Sequence, residues 1–383
     1  MELDLTKLRE EINETDEEIV RLFKKRMAIA SGVAEYKREH GLPVLDAARE
    51  RALLEKISVL AGEEMDGYAR TLYRTMLDVS RAYQYTKLHQ GALTYDEIAK
   101  SLEITPPIFP SRAKVACQGV EGAYSQLAAE KLFRFPTITY FSNFNAVFSA
   151  IEAKMCKYGI LPIENSTAGS VKQVYDLMKK HKFNIVRSVR IKVDHNLLAK
   201  PGTKLSDIKE IFSHEQAIQQ SSKFLASLPQ DVKITCVENT AKAAMIVALS
   251  ERSDVASISS SFCAEQYNLE VVASSIQDNG NNQTRFICIS NDLEIFPGAD
   301  KTSLMLVTPH KPGALYKIIS RFNSLGINLL KLESRPIPDR NFEFMFYFDI
   351  EVSVYSERFA QLLAEIEQVC DDFTYLGTYS EVV

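Results

Sequence analysis

Four basic residues interrupt otherwise apolar helical stretches near the start of the chain: Arg9, Arg26, Lys37 and Arg49. The formal net charge is −5, so any anionic ligand has to be held by cations placed locally rather than by a general positive field. A lone Lys or Arg on a helix is ordinarily a solvated charge, and Asp46 and Glu50 have equally ordinary roles as a helix cap and an N-terminal helix charge. Ser80 and Gln84, four apart in SRAYQ, share one helix face. Further along, polar groups gather at chain turns. GVEGAYS places Gly119 and Gly122 before Tyr124 and Ser125, where glycines let backbone N–H groups approach an anion at a helix start. PIENSTAGS supplies Asn165 and its neighbours, SHEQAIQQ supplies Ser213, Gln216 and Gln220, and VENT supplies Glu238 beside Thr240. DNGNNQTRF sets Asn282, Thr284 and Arg285 directly before an apolar run. Each turn taken alone fits capping; together they supply hydrogen-bond donors, several hydroxyls and a guanidinium.

The elements that must position these groups follow from periodicity. Leu5, Leu8, Ile12, Ile19, Leu22, Phe23, Ile29 and Val33 form a helical stripe from Leu5 to about Tyr36. Gly41 and Pro43 stop it, Asp46 caps a second helix from Ala47 to about Leu60, and a third runs from Asp66 to about Leu88. Three helices this unequal leave much of the first without a partner in one chain, which points to a dimer. ITPPIFPSR reads as a semi-rigid linker, giving boundaries of 1–90 for a helical domain and 91–112 for the linker. From 113 to 292, short apolar strands alternate with amphipathic helices in two sets, predicting a two-lobed α/β domain with a largely parallel sheet and a cleft between the lobes. Residues 300–383 read as βαββαβ, the order of a small α+β module.

Composition removes several function classes. A chain of 383 residues that is 46% hydrophobic and 25% charged is an ordinary packed, multidomain protein. It carries no electrostatic footprint for nucleic acid or for an anionic membrane. The acidic start MELDLTKLREEINE is unlike a signal peptide and no stretch is long enough to span a bilayer, so a cytoplasmic protein is expected. Six cysteines without CxxC spacing read as buried, reduced thiols, and six histidines form no metal-ligand cluster.

Taken together, Arg9, Arg26, Lys37, the DxxRE string with Asp46, Arg49 and Glu50, then Ser80 and Gln84, resemble the all-helical chorismate mutases. That resemblance implies a domain-swapped dimer in which the partner supplies Arg9. The reaction is an intramolecular rearrangement needing no nucleophile, so cations can do the work. Arg9 and Arg26 would clamp carboxylates, Lys37 and Gln84 would donate to the ether oxygen, Glu50 and the Asp46 backbone would hold the ring hydroxyl, and Arg49 and Ser80 would support a carboxylate. The GxxGAYS, PIENS, SHEQAIQQ and NxTRF segments, in that order, resemble prephenate dehydratases of periplasmic-binding-protein-like fold; Val120 departs from the proline often found there. The resemblance makes Thr284 the donor to the leaving hydroxyl, with Glu238 as rival, Arg285 as anchor, and Asn165, Ser213 and Gln220 as polar contacts. GALY (Gly313, Ala314, Leu315) and ESRP (Glu333, Ser334, Arg335) resemble the ACT module of phenylalanine-regulated dehydratases, in which the two segments come from neighbouring chains. The combined expectation is a cofactor-free and metal-free homodimer or homotetramer acting on chorismate and prephenate and inhibited by L-phenylalanine. A dehydratase alone, or a non-catalytic amino-acid sensor, are the alternatives.

Overall fold

Leu5–Glu39 is one helix of 35 residues, started by Asp4, whose carboxylate accepts the Thr6 N–H. The computed structural model describes residues 4–88, 93–337, 343–367 and 369–383. After a turn at Gly41 the chain returns as Ala47–Leu88, whose helical backbone is broken at Gly62 (φ 71°, ψ 171°). The two expected helices therefore abut at a glycine, which takes this conformation without a Cβ penalty. Only Met27, Ala30 and Ala34 are buried on the long helix, whereas Leu5, Ile12, Ile19 and Ile29 are each more than half exposed.

The expected linker needs correction. Residues 89–92 lie outside the described set, but Leu93–Ile104 is a helix. Its Ile98 packs with Leu304, Phe322, Phe348 and Leu363 of the C-terminal module, and Ser101 Oγ donates to the Leu293 carbonyl at 2.8 Å. Its apolar face is buried, so it is an integral part of that module's core, and the proline-rich stretch after it is an open connection.

The α/β region is two-lobed. The first lobe holds the strands Arg112–Gln118, Phe135–Phe141, Tyr158–Asn165, Asn184–Lys192 and Gln283–Ser290; the second is a five-stranded sheet built from residues 196–273. The first sheet is mixed rather than largely parallel, because Gln283–Ser290 returns from the second lobe to insert antiparallel between Tyr158–Asn165 and Asn184–Lys192. The chain crosses between lobes at 193–195 and again at 274–282, and the crossings touch where the Val193 N–H donates to the Asn282 carbonyl at 2.9 Å.

The C-terminal module has the expected βαββαβ order, with Asn328–Pro336 at the edge of a four-stranded antiparallel sheet. It shares a core with the first lobe, since Tyr347, Leu376 and Tyr379 pack with Tyr175 and Ile185. Gly377 (φ +136°) lies against the Ile185 backbone so closely that any Cβ would clash with its carbonyl oxygen. The final pair Glu381–Val382 joins the first lobe's sheet, so the module's last residues belong structurally to the α/β domain. Cys117, Cys156, Cys263 and Cys288 are buried, with burial pushing the Cys117 thiol up to about 12, but Cys236 is exposed, contrary to expectation. Among the described residues no helix is long and apolar enough to cross a membrane.

Candidate active sites

In the helical domain several of the singled-out residues meet. Lys37 Nζ donates to the Val44 carbonyl at 2.6 Å. Asp46 caps its helix by accepting the Arg49 N–H at 3.0 Å, and its carbonyl accepts the Glu50 N–H at 3.0 Å. Ser80 and Gln84 are buried one turn apart, with Gln84 Nε2 donating to Ser80 Oγ at 3.4 Å. The Glu50 carboxylate is held by Arg81, which also grips Asp78. Sequence reasoning passed over Arg81, whose partners Glu50 and Asp78 lie 31 and three positions away. Two buried polar atoms, Arg26 Nη1 and Gln84 Oε1, have no partner among the described residues. Arg9 is exposed. At 1.5 Å of rise per residue it lies roughly 26 Å along the helix from Arg26, so the two do not meet over one small ligand within a chain.

Between the α/β lobes lies a cleft of about 480 Å³. Asn165 Oδ1 accepts the backbone N–H groups of Thr167 and Ala168 at 3.1 and 2.9 Å. Backbone N–H groups only donate, so this contact fixes which amide atom is oxygen and hence the direction of every bond beyond it. Asn165 Nδ2 then donates to Thr284 Oγ1 at 2.9 Å and to Asn282 Oδ1 at 2.7 Å. Asn282 Nδ2 donates to Gln220 Oε1 at 2.9 Å, and Gln220 Nε2 donates to Thr167 Oγ1 at 2.9 Å. Thr167 Oγ1 donates back to Asn165 Oδ1 at 2.7 Å, closing the ring. Thr284 Oγ1 thus receives a hydrogen and keeps its own, for which no acceptor is present among the described residues.

The remaining expected groups fall elsewhere. Ser213 is fully buried with its hydroxyl donating to the Ile258 carbonyl at 2.8 Å, and it is not a wall of the cleft. Glu238 lies at the rim, its side chain 76% exposed and paired with Lys242 at 2.7 Å. Arg285, next to Thr284 on a strand, projects to the opposite face. There it meets Asp349 at 2.5 Å and the Tyr379 hydroxyl at 2.8 Å, both in the C-terminal module. The cleft walls contain no Lys or Arg among the described residues. They do contain the starts of the helices Tyr124–Leu132 and Thr240–Leu249, whose free N–H groups carry partial positive charge. Sequence reasoning also passed over His195, which lines the cleft, is 2% exposed, and has its pKa held below the ordinary value by burial against opposing contributions from Gln220 and Asp194.

In the C-terminal module Gly313 takes φ +80° to start the helix Ala314–Ser324, and this turn borders a hollow of about 300 Å³ walled also by Phe344 and Phe346. Glu333, Ser334 and Arg335 are not walls of that hollow. Glu333 accepts from Ser170 at 2.6 Å, and Arg335 pairs with Asp176 through two bonds of 2.7 and 2.8 Å. Lys331 meets Ser170 and Glu164, so this edge strand touches the cleft wall at Ser170; Ser334 is exposed.

Comparison with known proteins matches this division. The chorismate mutase type II family covers residues 8–85 and the prephenate dehydratase family residues 115–294, so the polypeptide joins an isomerase domain to a lyase domain. A bifunctional chorismate mutase/prephenate dehydratase from Aquifex aeolicus is 30% identical over 99% of both chains. The chain belongs to the family of bifunctional chorismate mutase/prephenate dehydratases. Among solved structures, prephenate dehydratase from Arthrobacter aurescens in complex with L-Phe is 29% identical over 70% of this chain and 89% of its own, with a TM-score of 0.64. A structure named GqqA, a quorum quenching acylase, is 28% identical over 69% and 97%, also at 0.64.

Proposed function

We propose that Thr284 is the proton donor of the dehydratase site and that one chain carries chorismate through prephenate to phenylpyruvate. The observation that carries the first part is the direction of the hydrogen bond from Asn165, which leaves the Thr284 proton free toward the cleft. As the ring–carboxylate bond breaks, its electron pair enters the ring, CO₂ departs, and the C–O bond to the ring hydroxyl breaks. The hydroxyl leaves as water with the donated proton, and aromatisation drives the step. The helix starts at Tyr124 and Thr240 hold the remaining carboxylate, replacing the anchor expected of Arg285. Glu238 sits at the exposed rim and pairs there with Lys242, outside the ring of amides that reaches Thr284, which favours Thr284 as the donor.

In the mutase domain, the buried Nη1 of Arg26 and Oε1 of Gln84, without partners among the described residues, are left for a ligand. Arg26 takes a carboxylate, with Arg49 and Ser80 supporting. Lys37 donates to the ether oxygen, and Gln84 does so once its amide turns over, because its unpartnered Oε1 only accepts and its Nε2 is given to Ser80; Asp46 and Glu50 position the ring hydroxyl. Arg9 enters from a second copy, whose helices cover the exposed apolar face. L-Phenylalanine binds between Gly313, Ala314 and Leu315 of one module and Glu333, Ser334 and Arg335 of another, across the edge strand of the sheet; the L-Phe complex of the Arthrobacter relative supports this. The test supplies purified protein with chorismate alone. Phenylpyruvate is the expected product. Accumulated prephenate would remove the Thr284 assignment, and untouched chorismate would remove the mutase reading.

A further inference from the structure

His195 lies on the first crossing between the lobes, is almost wholly buried, and belongs to no part of the reaction described so far. Its Nε2 is 2.9 Å from Gln220 Oε1, and its Nδ1 is buried without a partner among the described residues. The tautomer follows from the ring of amides. Gln220 Oε1 is an oxygen because it accepts from Asn282 Nδ2, whose own Oδ1 accepts from Asn165, so His195 must carry its hydrogen on Nε2 and donate it. Gln220 Oε1 then accepts from both crossings, His195 on the first and Asn282 on the second. Gln220 belongs to the second lobe and Thr167 to the first, so their bond spans the cleft.

We propose that His195 is a positioning residue for dehydration: its Nε2–H locks the Gln220 amide so that Gln220 donates across the cleft to Thr167. Thr167 Oγ1 in turn lies 2.7 Å from Asn165 Oδ1 and 3.3 Å from Asn282 Oδ1, the two amides that lead to Thr284. The backbone N–H groups on Asn165 Oδ1 and the Asn282 hydrogen on Gln220 Oε1 set the amide directions. What the His195 Nε2–H adds is position: it ties Gln220 of the second lobe to the first crossing. Without it the bond across the cleft to Thr167, next to Asn165 and Thr284 in the ring, is no longer held in place. This rests on Thr284 being the donor, and the experiment separates the two.

Three replacements at this one position distinguish the routes. In H195Q the longer amide reaches the place of Nε2 and can still donate to Gln220. H195N places its amide near Nδ1, too short for that bond, and H195L removes the polar group. We expect H195N and H195L to lower dehydratase kcat by about 10²-fold with KM held, and H195Q to recover most of the loss. Chorismate mutase turnover of the same polypeptide and its thermal melt monitor folding. Should H195L fail to fold, Q220E serves instead. It keeps both accepting bonds but has no donor for Thr167, and the same kcat loss is expected. Equal activity in all three His195 variants would overturn the proposal, as would H195Q being as poor as H195L, or a rise in KM with kcat intact, each of which gives the imidazole another role. T284V is assayed alongside. If it stays active, the donor assignment falls; if it is dead while the His195 variants are indifferent, only the positioning role falls.

Discussion

The two active regions differ in how much of the site one chain completes. In the α/β cleft every amide of the ring around Thr284 is satisfied, the directions of its bonds are fixed from two backbone N–H groups, and residues from both lobes and both crossings take part. In the helical domain the Nη1 of Arg26 and the Oε1 of Gln84 are buried without partners among the described residues, Arg9 is far along an exposed helix, and large apolar side chains face outward. Buried polar atoms without partners are costly, and a broad exposed apolar face is a site of association. On the function proposed above, the dehydratase site is built within one chain, whereas the mutase site takes Arg9 from a second copy.

The sharpest way to break this comparison is at Thr284. T284V keeps shape and volume but has no proton to give, and it should lower dehydratase kcat by roughly 10³-fold while leaving mutase turnover unchanged. Loss of both activities together would show that the domains do not function separately. A smaller effect is expected at Lys37: K37A should lower mutase kcat by about 10²-fold, the size of one lost transition-state donor. The informative experiment combines it with R9A. Each variant alone is inactive as a mutase if Arg9 comes from the partner. Mixed and allowed to exchange subunits, they form heterodimers in which one site holds both intact residues, and activity returns. Failure to complement would place Arg9 and Lys37 in the same site of one chain.

Much of this was legible in the sequence, and the physical reasons for what was not are specific. The helical stripe, the glycine stops, the α/β alternation and the βαββαβ order are local signals, and each became an element close to where periodicity put it. The helix Leu93–Ile104 was hidden because its burial comes from residues 200 to 270 positions away, and the mixed sheet because insertion of Gln283–Ser290 is a topological event that no spacing reports. Thr284 and Arg285 were adjacent in one string and so were assigned to one site. A strand sends neighbours to opposite faces, which puts Thr284 in the cleft and Arg285 against Asp349. His195 and Arg81 carried no spacing signal, since their meaning depends on partners distant in the chain.

That divergence at Arg285 also shows what holds the cleft wall to the C-terminal module. The guanidinium lies on a junction that includes Asp349, Tyr379 and the carboxylate of Glu381, which is itself held by Lys301 and by Arg190 at 3.1 Å. Burial alone would raise the Glu381 pKa, but the hydrogen bonds from Lys301 and Arg190 outweigh it and hold the carboxyl below its ordinary value. A carboxyl depressed in the folded state stabilises fully above its unfolded pKa of about 4.3, and that contribution is lost as pH falls through the lower folded value. E381Q keeps the shape but not the charge. At neutral pH it should cost about 2 kcal/mol, the worth of a charge-assisted hydrogen bond, and lower the Tm by roughly 5 °C. Repeating the melt in progressively more acidic buffer should bring the two proteins together, because protonation removes from the wild type what the substitution has already removed. A gap that stays constant into acid would mean that the junction is held by Arg285–Asp349 and the shared apolar core, with Glu381 contributing shape alone.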